Sequence, residues 1–445
     1  MMECATFDNR LLTFDSFPIV IGRYSTFDNL RIQSLDLIVS FLLLMFLSSF
    51  AYGNPVDTVW YSSDRQKIKL IYQYKIVKGH KLKHGFYQRF FKNGKIRQKG
   101  YYSHNQQDRN WIYYYRNGKI EKIVNYDYNQ KLGEFLQFYT NGQIRQKGFY
   151  VKDKLDGFLS TYFPDSTLKE KTFYTEGIKE GESSLYYPSG KIQTKSFYKN
   201  DTLNGVWETY FENGQLHQKG MKKGIRFNGL FKAYHKNGAL AKELQYIDFQ
   251  LDGAFKTYYP NGNLKISASY EQDKLHGKWI TYFEDKSIKE QATYNQGKLE
   301  GEWKAYHGNG NLKEIGQYSN GKKTGEWITY HDNQTIYTKG VYQDDLYEGE
   351  WKVYYSNNAL KQVGQYEKGL AKGEWIFYYP SQEVAQKGSY IADKQEGLWQ
   401  YYKTGDYLYM TGEYLNGEYH GWVKFYDPQG NITRKGEFKN GVRVD

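Results

Sequence analysis

The chain has 445 residues, with 47 Tyr, 26 Phe and 10 Trp beside 44 Gly and only 7 Pro. That balance suits pleated, half-exposed strands and leaves little aliphatic material for a closed interior, which argues against an ordinary globular enzyme. The net charge of +12 favours an anionic surface or polymer as partner, or, spread along an extended body, serves solubility alone.

Residues 1–34 form a mixed leader containing acidic residues that a signal n-region does not need, and translation starting further along the gene is one reading of them. The apolar run Leu37 to Phe50 comes next, with Arg31 ahead of it and Ala51-Tyr52-Gly53 behind it as a small-x-small cleavage pattern. Residues 35–53 therefore read as a secretory signal peptide, and the alternative is an uncleaved N-terminal membrane anchor that gives the chain membrane contact. Either way the rest of the chain is expected outside the cytoplasm: periplasmic, on the cell surface or secreted. The single cysteine, Cys4, lies upstream of the apolar run, so the processed chain would carry no thiol and no disulfide.

From Gly85 to Gly421 a glycine, or once Arg109, falls on every 24th residue, so residues 85–445 hold fifteen tandem copies in strict register. Gly301 to Thr324 shows the pattern: GEWKAYHGNGNLKEIGQYSNGKKT. Residues 54–84, ahead of the array, imitate this repeat through Trp60, Tyr61 and Tyr74, but the 11 residues from Tyr74 to Gly85 replace the usual seven. We read the segment as a degenerate N-terminal cap, which a terminal strand needs against edge-to-edge association.

Counting each copy from its leading residue as position 0, positions 8 and 9 are Asn-Gly in seven copies, the signal for a two-residue type I′ hairpin. With a second turn at 20 and 21, position 6 faces 11, 4 faces 13, 2 faces 15, and 17 faces the next copy's glycine. The pattern predicts an all-β fold: one elongated antiparallel meander of about 30 strands, two per 24-residue hairpin copy. One face carries the aromatic of position 2 (Trp in eight copies), the ring of position 6, the aliphatic of position 11 and the Tyr of position 17, with Gly at position 15 making room for the indole. The other face carries position 5, aromatic in all fifteen copies, and the Lys or Arg of positions 12 and 14.

The hairpin G-x-W-x-x-Y-Y-x-N-G-x-L with its trailing Y-x-x-G-K resembles the MORN repeat variant of bacterial YwqK-type antitoxins, over residues 85–444. That resemblance implies scaffolding, membrane proximity and protein contacts, and its antitoxin label implies neutralisation of a toxin protein. Gly, Trp and paired Tyr in short hairpins are also similar to cell-wall-binding repeats of the choline-binding type, which implies wall or glycan binding.

No catalytic constellation emerges from the polar columns. His235, His307 and His331 take the place of a ring at position 6, and equivalent residues of adjacent copies lie two strands apart, roughly 9.5 Å, too far to share one metal ion. Glu302, Glu326, Glu350 and Glu374 stack at position 1 without a pocket to separate their acidities, so they read as structural. No enzyme, cofactor or metal is expected, and export argues against a nucleic-acid partner. The expected function is an exported, non-enzymatic repeat scaffold contacting a protein or an anionic or glycan component of the envelope. The candidate ligand stripe is Tyr258, Tyr282, Tyr306, Tyr330, Tyr354 and Tyr378 with Lys265, Lys289, Lys313 and Lys361. Position 5 is universal, yet the register places it away from the packed face.

Overall fold

A computed structural model describes residues 53–445 of the chain. The expectations placed on residues 1–52 lie outside the described residues. Thirty-seven strands join in one antiparallel sheet in which each hairpin follows the last, and no helix occurs among the described residues. Each copy supplies two strands, and four of the first strands are interrupted just before the leading glycine, as at Lys154–Leu155 and Gly157–Tyr162.

The first five strands show how the register is built: β1 (Val56–Trp60), β2 (Ile68–Val77), β3 (His80–Phe90), β4 (Ile96–Ser103) and β5 (Gln106–Tyr114). Between β3 and β4, Gly85 faces Tyr102, Tyr87 faces Gly100 and Arg89 faces Gln98, which is the expected ladder. At the turn the pattern differs. Phe90 faces Ile96 across a bulge, Gly94 N–H donates to the Phe91 carbonyl, and Phe91 N–H donates to the Lys95 carbonyl. Only Gly94 of the Asn-Gly pair has positive φ, at 81°. The Asn-Gly column is therefore a type I turn closed by a left-handed glycine, and not the two-residue type I′ turn the dipeptide suggested.

The type I′ turn sits elsewhere. His104 and Asn105, positions 19 and 20, both have positive φ, and Ser103 faces Gln106 across them. Away from this turn β4 and β5 regain the expected register, Lys99 facing Ile112 and Gln98 facing Tyr113. The difference is absorbed opposite position 16, where the partner strand carries extra residues at its positions 0 and 1. The leading column is thus a bulge column with positive φ, from Gly85 at 116° to Gly421 at 109°, and Arg109 adopts φ 60° there. Two expectations fall with this. Position 17 does not face the next leading glycine, and position 11 pairs with position 5, on the face opposite the tryptophans.

The packed face is carried by positions 2, 4, 13, 15 and 17. Its order comes from contact between copies. A Cβ on Gly316, Gly340, Gly364 or Gly388 would lie 2.0 to 2.2 Å from the ring of the following copy's Trp327, Trp351, Trp375 or Trp399. These four indoles and Trp111, which lies over Gly100, are at most 8% exposed. Each meets the preceding Tyr of position 17 nearly edge to face at 5.0 to 5.2 Å. Each also donates its Nε1–H to the position 16 carbonyl at 3.0 to 3.3 Å, beside the bulge. Trp207, Trp279 and Trp303 follow Ser196, Ala268 and Ala292 and remain half-buried.

Both turn columns also tie copy to copy. The Asn at position 8 donates to the position 7 carbonyl of the next copy, as Asn141 does to Pro164 at 2.9 Å. An Asp or Asn at position 20 accepts from a backbone N–H of the preceding copy, as Asp201 does from Lys179 at 2.8 Å. Residues 55–84 pair in the same way: Val59 faces Leu70, Trp60 faces Ile68 across a bulge, and Tyr61 Oη donates to the Phe90 carbonyl at 2.6 Å. They form one more copy with its first turn two residues longer and its second hairpin four residues longer. Even insertions keep every side chain on its face.

Candidate functional site

The position 5 rings of the candidate stripe are half-buried beside their position 11 partners, Tyr258 opposite Leu264 and Tyr330 opposite Ile336. Their backbone carbonyls accept from the position 6 side chain of the copy before: His235 on Tyr258, Tyr259 on Tyr282, His307 on Tyr330, His331 on Tyr354 and Tyr355 on Tyr378. The three histidines thus take over the part of a phenol, donating Nε2–H to a neighbouring copy.

Three of the four lysines join a different ring column. Lys265 lies over Tyr259 at 5.3 Å, Lys289 over Phe283 at 5.9 Å and Lys361 over Tyr355 at 5.6 Å, all rings of position 6. Lys313 lies instead along a cavity on the packed face that Tyr330 also lines. The stripe proposed from the sequence is therefore divided: by pairing, the tyrosines Tyr258, Tyr282, Tyr306, Tyr330, Tyr354 and Tyr378 share a face with position 14, Lys265, Lys289 and Lys361 go to the other ring column, and Lys313 and Tyr330 line one cavity. The bulge after position 11 causes this, by adding one residue that the simple hairpin count does not contain.

The face opposite the tryptophans holds a feature that column counting over all fifteen copies averages away. In four consecutive copies a Lys at position 14 is followed two residues later by an apolar residue at position 16: Lys147 and Phe149, Lys171 and Phe173, Lys195 and Phe197, Lys219 and Met221. Alternation puts each pair on one face. Phe158, Val206 and Leu230 at position 1 extend the same surface, and Phe149, Phe158, Phe197, Met221 and Leu230 are 44 to 46% exposed. Local scanning for K-x-F within successive copies would have found it.

The cations of this stripe are lightly held. Lys147 pairs with Glu134 at 2.7 Å, Lys219 with Glu208 at 2.8 Å, and Lys171 lies over Phe158 at 4.4 Å. Burial pushes the Glu208 carboxyl up, but bonds from Lys219 and Tyr210 outweigh it and hold its pKa below the ordinary glutamate range. Further along the sheet glutamate takes position 1 in four copies running, and the Lys and apolar pair recurs at Lys339 and Val341. Glu302, Glu326 and Glu350 pair with Lys304, Lys339 and Lys352 at 2.5 to 2.7 Å, and Gln317, Gln365 and Ser389 replace the rings. No group of three His, Cys, Asp or Glu able to hold a metal ion occurs among the described residues.

Eleven segments match the model of the MORN repeat variant: 83–104, 110–128, 131–152, 179–200, 203–221, 227–248, 251–272, 275–296, 299–320, 347–368 and 419–440. The chain belongs to the MORN repeat variant family. The MORN copies beginning at Gly157, Gly325, Gly373 and Gly397 fall between matched segments and keep the same pairing. No curated protein matches the chain. Among solved structures, TcdB2-TccC3-Cdc42 is 9% identical, with a TM-score of 0.14, over 87% of this chain and 26% of that one. The Tc holotoxin pore of Photorhabdus luminescens is 11% identical, with a TM-score of 0.13, over 87% of this chain and 24% of that one. This MORN chain spans about a quarter of the length of those proteins, and a superposition at that level carries no argument.

Proposed function

We propose that the chain is an exported, non-enzymatic scaffold that holds an acidic, apolar segment of a partner protein against the face between Phe149 and Leu230. One observation carries this reading: four consecutive copies present an exposed apolar side chain beside a lysine, on the face that the sheet does not use for its own packing. The export part of the reading is supported by the apolar run at 37–50 and the small-x-small pattern behind it.

The stripe also indicates the partner's spacing. Neighbouring copies repeat a column every two strands, roughly 9.6 Å, and an extended chain advances about 3.3 Å per residue. A segment laid across the copies meets one lysine and one apolar side chain about every third residue. Exposed ion pairs such as Lys147 with Glu134 contribute about 0 to 1 kcal/mol, so an incoming carboxylate replaces the internal partner at little cost.

A photo-crosslinking residue at Phe197, in the full chain in its own cells, tests this. It should capture one protein through an acidic segment in the envelope fraction, and reversing Lys147, Lys171, Lys195 and Lys219 to Glu should abolish the product. The same residue at Gln317, in the equivalent column of the acidic half, should capture nothing. Identical products at both positions, or none at Phe197, would overturn the reading. A second reading, glycan binding, is favoured by the cavity on the packed face.

A further inference from the structure

On the packed face, position 22 covers the ring pair formed by positions 2 and 17 of the following copy. Lys83 lies 5.0 Å from Tyr102, and Lys323 lies 3.8 Å from Trp327 and 5.0 Å from Tyr342 while pairing with Glu314 at 3.1 Å. In the next copy the cover is a ring, Tyr347, 4.3 Å from Trp351. In the copy after that it is Ala371, too short to cover anything beyond its own backbone. Tyr366, which Ala371 faces across the ladder, helps wall a cavity of about 400 Å³ with Tyr337, Tyr342 and Tyr347, and Thr338 and Gln362 are among its lining.

Two departures from the repeat accompany it. Ala371 replaces a covering side chain, and Tyr337 stands at position 12, where seven copies carry Lys or Arg. Tyr337 and Tyr347 are 45% and 38% exposed, so two rings meet solvent next to a hydroxyl and a carboxamide. The Lys323 ammonium already lies over two other rings of the lining, Trp327 and Tyr342, with its charge matched by Glu314. The cavity offers apolar ring faces with the neutral Thr338 and Gln362, beside Lys313 and the Lys323-paired Glu314, and its volume is that of a small-ligand site.

We propose that this cavity binds a neutral oligosaccharide, with sugar rings laid on Tyr337 and Tyr347 and hydroxyls bonded to Thr338 and Gln362. The inference rests on the glycan-binding reading alone. It is independent of the stripe on the other face, since crosslinking at Phe197 reports nothing about this cavity.

Titration calorimetry of the full chain with cellohexaose, chitohexaose and maltohexaose tests it. At least one sugar should bind with a Kd of about 1 mM or tighter. Tyr337→Ala, at an exposed position, should weaken that binding about tenfold or more, as should Ala371→Lys, which restores a cover, while Tyr347→Phe keeps it. Circular dichroism of each variant should match the native chain. Failure of all three sugars to bind at about 10 mM, or native affinity in both Tyr337→Ala and Ala371→Lys, would overturn the proposal.

Discussion

A tryptophan behind a glycine and a tryptophan behind an alanine are different residues in this sheet. Trp375 lies on the backbone of Gly364 and bonds the Gln365 carbonyl, whereas Trp303, behind Ala292, stays half-buried. Gly364→Ala puts a methyl 2.0 Å from the Trp375 ring, and the indole must leave. The expected cost is about 1 to 3 kcal/mol for overpacking, with roughly 1 kcal/mol more for the lost bond. Gly349→Ala fails for another reason. Its φ is 68° with nothing within 4 Å of the added Cβ, so only backbone strain of about 1 to 2 kcal/mol opposes it. Native-state hydrogen exchange of residues 360–378 separates the two, because Gly364→Ala also unseats a ring and Gly349→Ala leaves every ring in place.

Hairpins show where sequence reading reaches and where it stops. The central ladder, positions 0 to 4 against 13 to 17, was legible from turn spacing and alternation, and so was the pairing of the position 15 glycine with the position 2 tryptophan. The turn ends were not. Asn-Gly is compatible with two turn types, and the choice depends on a bulge after Ile96 that no single copy reveals. The binding columns fail for the same reason: one inserted residue sends Lys265 to Tyr259 rather than to Tyr258. Between hairpins, Tyr379 Oη donates to the Tyr402 carbonyl at 2.8 Å, and Tyr379→Phe should lower the stability of the Gly397 copy by about 1 kcal/mol in urea melts. The phenols also set an alkaline limit. Burial pushes Tyr102 and Tyr114 up to about 12, and burial together with the bond to Glu208 does the same for Tyr210. A raised acid stabilises fully below its unfolded pKa of 10 and ceases to do so as pH rises through the folded value. Strand circular dichroism should hold to about pH 10 and be lost towards pH 12, with the phenolates of Tyr102, Tyr114 and Tyr210 forming in step. Phenolate forming near pH 10 at Tyr102, Tyr114 and Tyr210, followed residue by residue with the sheet intact, would contradict this.

As a whole the molecule is one open sheet with unlike faces and unlike halves. Stability in such an array is local, since each copy contacts chiefly its neighbours, so a change in one region need not unfold another. One face holds the copies together through glycine-backed indoles. The other carries a lysine and apolar stripe over residues 147–230, then a run of ion-paired glutamates. This division between a face that holds the sheet together and a face that folding leaves free is the central claim, and hydrogen exchange of two variants tests it most directly. Phe149→Ser with Phe197→Ser and Met221→Ser should leave protection in residues 144–234 within about fivefold of native, as for surface substitutions. Gly340→Ala with Gly364→Ala and Gly388→Ala should raise exchange in residues 336–403 by about a hundredfold or more. Equal loss of protection in the two variants would contradict it, because the exposed stripe would then be part of what holds the sheet together.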